Sequence, residues 1–273
     1  MTKRSLIWTL GVLALGLAIF AFIRSRNHSH LPLARPSVQW AGSFDHSHAA
    51  FDGVLKQYVK DAHVDYAEIK AHPGALNRYL DEVAAVPRTE FQKWSEPQQI
   101  AFLTNAYNAY TIWLIVEHYP LKSIRDIGNV VSGPWDQPIV QLFGEMTDLN
   151  TVEHKILRVN YAEPRLHFAL VCAAKGCPPL RGEAYGAERL EAQLVDQAKQ
   201  FLAASEKNRV DAATRTVFLS PIFKWYGGDF EKKSGSLLAA LKSYWPEQAA
   251  AVATDDFKIS YTDYDWSLNK QAK

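Results

Sequence analysis

The segment from Gln98 to Tyr119 constrains the fold more than any other part of this chain, because it is apolar around nearly its whole circumference. Bulky apolar side chains occur at almost every helical position, among them Phe102, Tyr110 and Trp113. A helix that is apolar all round is buried on most of its sides. The segment therefore predicts a long central helix around which the rest of the domain packs.

Four polar side chains interrupt this helix and share one stripe, at positions i, i+1, i+4 and i+7. They are Thr104, Asn105, Asn108 and Thr111. A buried amide without a partner costs about 1–3 kcal/mol, so these groups need partners from backbone, water or ligand. Two interpretations follow. The stripe is either a core hydrogen-bond network that fixes neighbouring loops, or the polar wall of a cleft.

The composition excludes several classes of protein. Of the 273 residues, 48% are hydrophobic, which is too many for general disorder. The formal net charge is +1, so the basic excess typical of a phosphate binder is missing and we expect no nucleic-acid partner. Two cysteines cannot build a disulfide-rich scaffold or a four-thiolate zinc site.

The segment from Leu6 to Ile23 contains 18 residues and no charge. As a helix it would be about 27 Å long, close to the thickness of a hydrocarbon core. The sequence at its end is a poor cleavage site, so we predict an uncleaved transmembrane signal anchor. Basic residues flank it on both sides, but the short basic N-terminus with Lys3 and Arg4 resembles that of a signal anchor. We therefore expect a protein held in the bacterial inner membrane through residues 6–23, with its domain in the periplasm.

The rest of the chain predicts one folded domain. A polar stretch with two prolines follows the anchor and is typical of a linker. No internal repeat or second linker interrupts the remainder. The predicted division is a basic N-terminus at 1–5, the anchor at 6–23, a linker at 24–43, a single domain at 44–269 and a tail at 270–273.

The stretch from Leu166 to Cys172 predicts a buried strand, and the turn after it contains a glycine and two prolines. It carries His167 and two thiols, Cys172 and Cys177, with cations such as Arg181 nearby that could lower a thiol pKa. This combination suggests a Cys–His nucleophile pair.

Strand geometry separates His167 from Cys172, because residues five positions apart face opposite ways and their Cα atoms lie about 16 Å apart. Cys177 is freer, since the turn could fold it back towards His167 or towards His154. The competing interpretation is a Cys172–Cys177 disulfide, because the turn permits the required Cα approach of about 4.4–6.8 Å. An extracytoplasmic domain would favour that bond.

Asn150 and Glu153 resemble a capping box at a helix start, which gives Glu153 a structural role. His154 and Arg158 lie at i and i+4 on the same predicted helix face. The His-x-x-x-His spacing of a zinc helix is missing, so we predict neither a metalloprotease nor any other metal or cofactor site. A metal set of Glu153, His154, His167 and a cysteine is a minor alternative.

Several motifs together resemble the domain-of-unknown-function family numbered 547. They are Asn105-Ala-Tyr-Asn108, Pro134-Trp135, Glu153-His154 with Leu157-Arg158, Arg165 to Cys172, Gly176 to Arg181, Trp225-Tyr226 with Asp229-Phe230, and Tyr264 to Asn269. The resemblance covers nearly the whole folded region. It implies an α+β domain that occurs in bacterial exported or anchored proteins and in plant proteins with a coiled-coil partner region. It implies no established reaction.

We therefore expect one globular α+β domain, with the buried central helix packed on a small, mostly antiparallel sheet, preceded by the transmembrane helix. Trp266 and its neighbours predict that the end of the chain docks back onto the domain.

Two functions fit these observations. The first is a hydrolase or acyl transferase with a Cys/His cleft, loosely like transglutaminase or papain-type enzymes, although no cysteine occurs near the start of the central helix. The second is a non-catalytic module at the membrane that binds a small molecule or peptide through aromatic loops. The predicted catalytic residues are Cys177, His154 and His167; the predicted cleft residues are Asn105, Asn108, Trp135, Glu153, Arg158, Cys172 and Arg181.

Overall fold

The central helix is present and runs from Glu96 to His118, with every residue from Ile100 to Val116 buried. Ser95 precedes it, and its backbone N–H donates to the side chain of Gln98 (2.9 Å). This contact satisfies a polar group at the helix start and fixes where the helix begins.

The computed structural model describes residues 39–245, 248 and 257–272. Its helices are α1 (Ala49–Tyr58), α2 (Tyr66–Ala71), α3 (Gly74–Ala85), α4 (Arg88–Phe91), α5 (Glu96–His118), α6 (Arg158–Asn160), α7 (Leu166–Ala169), α8 (Leu190–Ala203), α9 (Ile222–Trp225), α10 (Gly227–Ser234) and α11 (Leu237–Tyr244). A π-helix spans Thr151–Leu157, and short 3₁₀ turns span Ile124–Asp126, Pro134–Asp136 and Ala187–Arg189.

The strands form three small sheets. They are β1 (Val59–Lys60), β2 (His63–Val64), β3 (Val140–Leu142), β4 (Glu145–Thr147), β5 (Arg209–Asp211), β6 (Thr216–Leu219) and β7 (Lys258–Tyr261). β1 pairs with β2 and β3 with β4, both antiparallel. In the third sheet β5 is antiparallel to β6, but β7 is parallel to β6, with Val217 opposite Ile259.

The mixture of helices and small sheets confirms an α+β fold. The expected packing of the central helix on one sheet is wrong in detail. The main neighbours of α5 are α2, α3, the π-helix and the turn before α8, so the buried helix is enclosed chiefly by other helices. Sheets of two or three short strands are too small to cover a 23-residue helix.

Two hydrophobic clusters make up the core. The larger surrounds α5 and includes α1 to α3. The smaller is rich in phenylalanine and joins α7 to α8, α9 and α10 through Phe168, Phe201, Phe223 and Phe230. His167, next to Phe168, therefore lies close to the boundary between the clusters.

The segment from Leu166 to Cys172 is not a strand. Leu166–Ala169 is one helical turn, and the chain becomes extended at Leu170. A short apolar run that is buried on all sides has no periodicity to separate a helical turn from a strand. The segment from Ile222 to Phe230, which carries the Trp225-Tyr226 and Asp229-Phe230 motifs, is also helical, in α9 and α10.

The end of the chain docks back, as predicted. The backbone N–H groups of Lys175 and Gly176 donate to the carbonyls of Ser267 (2.9 Å) and Asp265 (2.8 Å). A Cβ on Gly176 would lie 2.9 Å from the nitrogen of Asp265, so this close approach requires glycine. The C-terminal segment is thereby fixed against the turn that follows α7.

The predicted anchor at 6–23, the N-terminus at 1–5 and the linker up to residue 38 lie outside the described residues. Among the residues that the structure does describe, no helix combines the length and apolar character needed to cross a membrane.

Candidate functional site

A cavity of about 270 Å³ opens between the central helix, the π-helix, α9 and the docked C-terminal segment. Its lining is largely aromatic, with one carboxylate and two histidines. The residues are Tyr107, Trp135, Asn150, Glu153, His154, His167, Leu170, Cys172, Cys177, Ile222, Trp225, Tyr226, Tyr264 and Trp266.

Glu153 lines this cavity from the π-helix, and the helical segment that contains it begins earlier than the sequence predicts, at residue 149. Asp148, and not Asn150, provides the cap: its Oδ1 accepts from the backbone N–H of Thr151 (2.6 Å). The predicted capping box is therefore wrong, and Glu153 has no capping role. Its carboxylate is instead buried, with 6% of the residue exposed, and accepts a hydrogen bond from Tyr107 Oη (3.1 Å).

His167 lies on α7 and is only 4% exposed. Its Nε2 donates to Asp229 Oδ2 (2.7 Å), and its ring stacks on Tyr226 with centroids 3.8 Å apart. Burial lowers the pKa of His167, and the hydrogen bond to Asp229 only partly opposes that effect. The imidazole is thus neutral at neutral pH.

Arg158 binds both oxygens of Asp229, including Oδ2, which also accepts from His167. Its Nε and Nη2 donate to Asp229 at 2.6 and 3.0 Å, and its Nη1 donates to His154 Nδ1 (2.9 Å). Burial favours the neutral form of Asp229, but the hydrogen bonds from Arg158 and His167 outweigh it and lower the pKa of Asp229 to about 2. Asp229 is therefore an acceptor on both sides.

These contacts fix the two histidines in the same tautomer, with the proton on Nε2, but they engage opposite ring nitrogens. Because a guanidinium can only donate, His154 Nδ1 is the acceptor and its proton lies on Nε2. Because Asp229 can only accept, His167 carries its proton on Nε2 and a lone pair on Nδ1. That buried Nδ1 has no hydrogen-bond partner among the described residues, and the nearest carboxylate oxygen, Glu153 Oε1, lies 3.9 Å away. The Arg158–Asp229 ion pair thus leaves a basic lone pair on His167 Nδ1 and a donor N–H on His154 Nε2.

Cys172 and Cys177 also line the cavity, but as a disulfide with Cα atoms 6.2 Å apart. This is the second of the two interpretations drawn from the sequence. Cys177 as a thiol nucleophile is therefore not supported, because a disulfide sulfur carries no thiolate. Cys172 Sγ contacts Tyr264 Oη at 3.0 Å, which ties the disulfide to the docked C-terminal segment.

The structure brings together six of the predicted residues at the cavity: Trp135, Glu153, His154, His167, Cys172 and Cys177. Arg158 lies behind it, on Asp229. Asn105, Asn108 and Arg181 do not line this cavity, and their assignment to a cleft stays a prediction. Arg181 pairs with Glu183 and Asp196 beside α8.

The side-chain amides of the polar stripe form hydrogen bonds with backbone groups. Asn105 donates to Tyr185 O (2.8 Å) and accepts from Tyr185 N (3.0 Å). Asn108 donates to Ala169 O (3.0 Å) and accepts from Val171 N (3.0 Å). Each side chain therefore fixes an irregular segment to the central helix, which agrees with the structural interpretation of the stripe.

Sequence reasoning missed Asp229 as a site residue. It lies 62 positions from His167 along the chain, and only its place in the motif Trp-Tyr-Gly-Gly-Asp-Phe indicated a role. Tyr107, Tyr226 and Tyr264 were missed for a different reason, because buried tyrosines in an apolar pattern are typical of a core.

No group of three or more potential metal ligands is arranged to hold an ion within the described part of the chain.

The family model for DUF547, described as a protein of unknown function, matches residues 91–202. This match confirms the resemblance seen in the motifs, over a shorter range than the motifs span. The matched range contains the central helix, the two cavity histidines His154 and His167, and both cysteines. Asp229 and the C-terminal aromatic residues lie beyond it. No curated protein and no solved structure matches the chain.

Proposed function

We propose that the DUF547 domain of this chain forms an acyl hydrolase site in which histidine, and not a cysteine thiol, activates water. The observation that carries the proposal is the buried, unpartnered Nδ1 of His167, held as a neutral base by Asp229 at the edge of the cavity. Buried titratable groups with specific charge partners in a cleft are typical of catalytic sites.

In this proposal His167 Nδ1 accepts a proton from water as the water oxygen bonds to the acyl carbon. His154 Nε2–H donates a hydrogen bond to the carbonyl oxygen while negative charge develops on it. When the bond between the acyl carbon and the leaving group breaks, His167 returns its proton to the leaving group. Asp229 and Arg158 act as positioning residues, because they hold the two rings and their tautomers.

Hydrolysis of p-nitrophenyl acetate by the full-length chain tests this role. We expect His167→Asn to lower kcat/KM by about 10²–10⁴, the usual contribution of a general base. Asp229→Asn should cause a smaller loss and should alter the pH profile, because it permits the other tautomer of His167. His72→Asn is the matched control, since that imidazole is exposed and remote from the cavity.

Equal turnover in wild type and a folded His167→Asn variant would contradict the proposal. If no acyl compound is hydrolysed but a ligand still binds the cavity, the alternative of a non-catalytic binding module gains support. The largely aromatic lining favours that alternative, because such walls suit ligand recognition whether or not chemistry follows.

We also propose that residues 6–23 anchor the domain in the inner membrane with the domain in the periplasm. The disulfide supports this location, because disulfides persist in oxidising compartments and are rare in the cytosol. Alkylation of intact cells before lysis, followed by tryptic digestion, tests it. A linked pair of peptides containing Cys172 and Cys177 is expected, and two alkylated thiols would contradict it.

A further inference from the structure

The mouth of the cavity is built from aromatic rings that meet at steep angles. Trp225 lies 4.9 Å from Tyr264 and Tyr264 lies 4.6 Å from Trp266, centroid to centroid, with planes inclined by 55° and 50°. Trp135 adds an edge at 5.9 Å from Trp266, inclined by 69°. Trp225 and Trp266 lie closer to parallel, 5.9 Å apart with planes inclined by 28°, so four rings pack together in this wall.

Glu153 places a carboxylate among these rings, and among the described residues it forms no direct ion pair with a lysine or an arginine. Tyr107 donates to it as a neutral hydroxyl, and the facing Nδ1 of His167 is a lone pair. Arg158, the nearby guanidinium, attracts Glu153 through space, but its hydrogen bonds go to both oxygens of Asp229. A buried carboxylate without a directly bonded cation is costly, and a cation brought by a ligand would reduce that cost.

We infer that the cavity binds compounds with a positively charged nitrogen, either a protonated amine or a quaternary ammonium group. Ring faces attract cations through their quadrupole, and a desolvated contact is worth about 2 kcal/mol. Two rings of the lining already contact a guanidinium cation that lies outside the cavity. Arg125 lies 5.3 Å from the centre of the Trp266 ring, and Arg158 lies 5.2 Å from that of Tyr226.

This inference deepens the proposed function and rests on it for one step only. If the site is a hydrolase, its substrates are acyl compounds that carry the charged nitrogen beside the scissile bond. The cavity volume of about 270 Å³ fits a small molecule or a single side chain. Binding of the cation itself does not require the chemical step.

The test compares two probes of the same shape, choline and its neutral isostere 3,3-dimethylbutan-1-ol. Both are titrated into the full-length chain in a non-ionic detergent, with indole fluorescence and the indole N–H resonances as readouts. We expect choline to bind about tenfold more tightly or better, which corresponds to about 1.4 kcal/mol. Equal affinity for the two probes, or no binding of either at millimolar concentration, would overturn the inference.

Three variants locate the effect. Glu153→Gln keeps the shape and the acceptor of Tyr107 but removes the charge, so the preference for choline should fall to near unity. Trp225→Leu should weaken both the binding and the preference without affecting folding, because 46% of Trp225 is exposed. Glu145→Gln, an exposed acid paired with Arg88, is the matched control and should change nothing. A preference that survives Glu153→Gln and Trp225→Leu would place the cation elsewhere and contradict the inference.

Failure of this inference differs from failure of the proposed hydrolysis. Loss of turnover in His167→Asn with choline preference retained supports both. Turnover that depends on His167, without any preference for choline, would support the proposed hydrolysis. It would overturn the inference that the cavity binds compounds with a charged nitrogen.

Discussion

The polar stripe on the central helix and the histidine cluster at the cavity are both polar groups in an apolar frame, yet they are built in opposite ways. In the stripe, Asn105 and Asn108 each donate to and accept from the backbone, so their amide groups are occupied. In the cluster, the contacts of His167 occupy one nitrogen and leave the other as a buried lone pair. Burial of polar groups is common to both regions, but only in the cluster does a titratable group with a free lone pair line the cavity.

The largest stability effect should come from the stripe. Asn108→Ala leaves the N–H of Val171 and the carbonyl of Ala169 buried without their partner. We expect a loss of about 3 kcal/mol in the free energy of unfolding, since each orphaned buried group costs about 1–3 kcal/mol. Chemical denaturation measures it. Asn160→Ala, at an exposed asparagine, should stay within about 0.5 kcal/mol of wild type. Similar values for both variants would contradict the structural role of the stripe.

Removal of the disulfide should cost less. The Cys172–Cys177 bond closes a short loop, and the double variant Cys172→Ser with Cys177→Ser should lose about 2 kcal/mol by the loop-entropy relation. Turnover, measured below the unfolding transition, should persist because the proposed chemistry uses no thiol. A folded double variant without turnover would return cysteine to the mechanism.

The two regions should also differ in their response to acid. Amides do not titrate, whereas the cluster does. The pKa of His167 is below its unfolded value of 6.5, so the unfolded state binds more protons and stability falls as the pH drops below about 6.5. The pKa of Asp229 is about 2 against 3.8, so a further loss follows as the pH falls from about 4 towards 2.

Unfolding free energies measured between pH 8 and pH 2 check this dependence. Asp229→Asn should reduce the second loss, and the remainder comes from other carboxylates with a lowered pKa, such as Glu183 at about 2. Asn108→Ala should shift the whole curve down while keeping its slope. A pH slope that changes with Asn108 and not with Asp229 would reverse the assignment of the two regions.

The smallest effect sharpens the comparison within the stripe. Thr104 Oγ1 is buried without a hydrogen-bond partner among the described residues, whereas Thr111 Oγ1 donates to Tyr107 O (2.9 Å). Thr104→Val should be neutral or stabilising by up to about 1 kcal/mol, and Thr111→Val should destabilise by about 1 kcal/mol. Thermal unfolding of the two variants side by side measures the difference. A larger loss for Thr104→Val would indicate an interaction that the geometry does not contain.

Local patterns predicted the central helix and the docked end, because each is set by apolar periodicity or by large rings near a terminus. They failed where two local signals compete. Asp148 and Asn150 are both residue types that cap helices well. Asp148 is the cap in the structure, so Glu153 has no capping role and lines the cavity instead. The Asp229–His167 contact joins residues 62 positions apart, which no local pattern encodes. The site was therefore only partly predictable: its histidines were named, but not the acid that orients one of them.

The docked C-terminal segment has a consequence for the order of biosynthesis. Tyr264 and Trp266 complete the cavity wall, and Gly176 receives the backbone of Asp265 at close range. A nascent chain that has emerged only as far as α11 therefore has both histidines but an unfinished wall. The cavity wall is complete only after synthesis has passed Asn269, so the candidate site forms late, whatever the earlier helices have already formed.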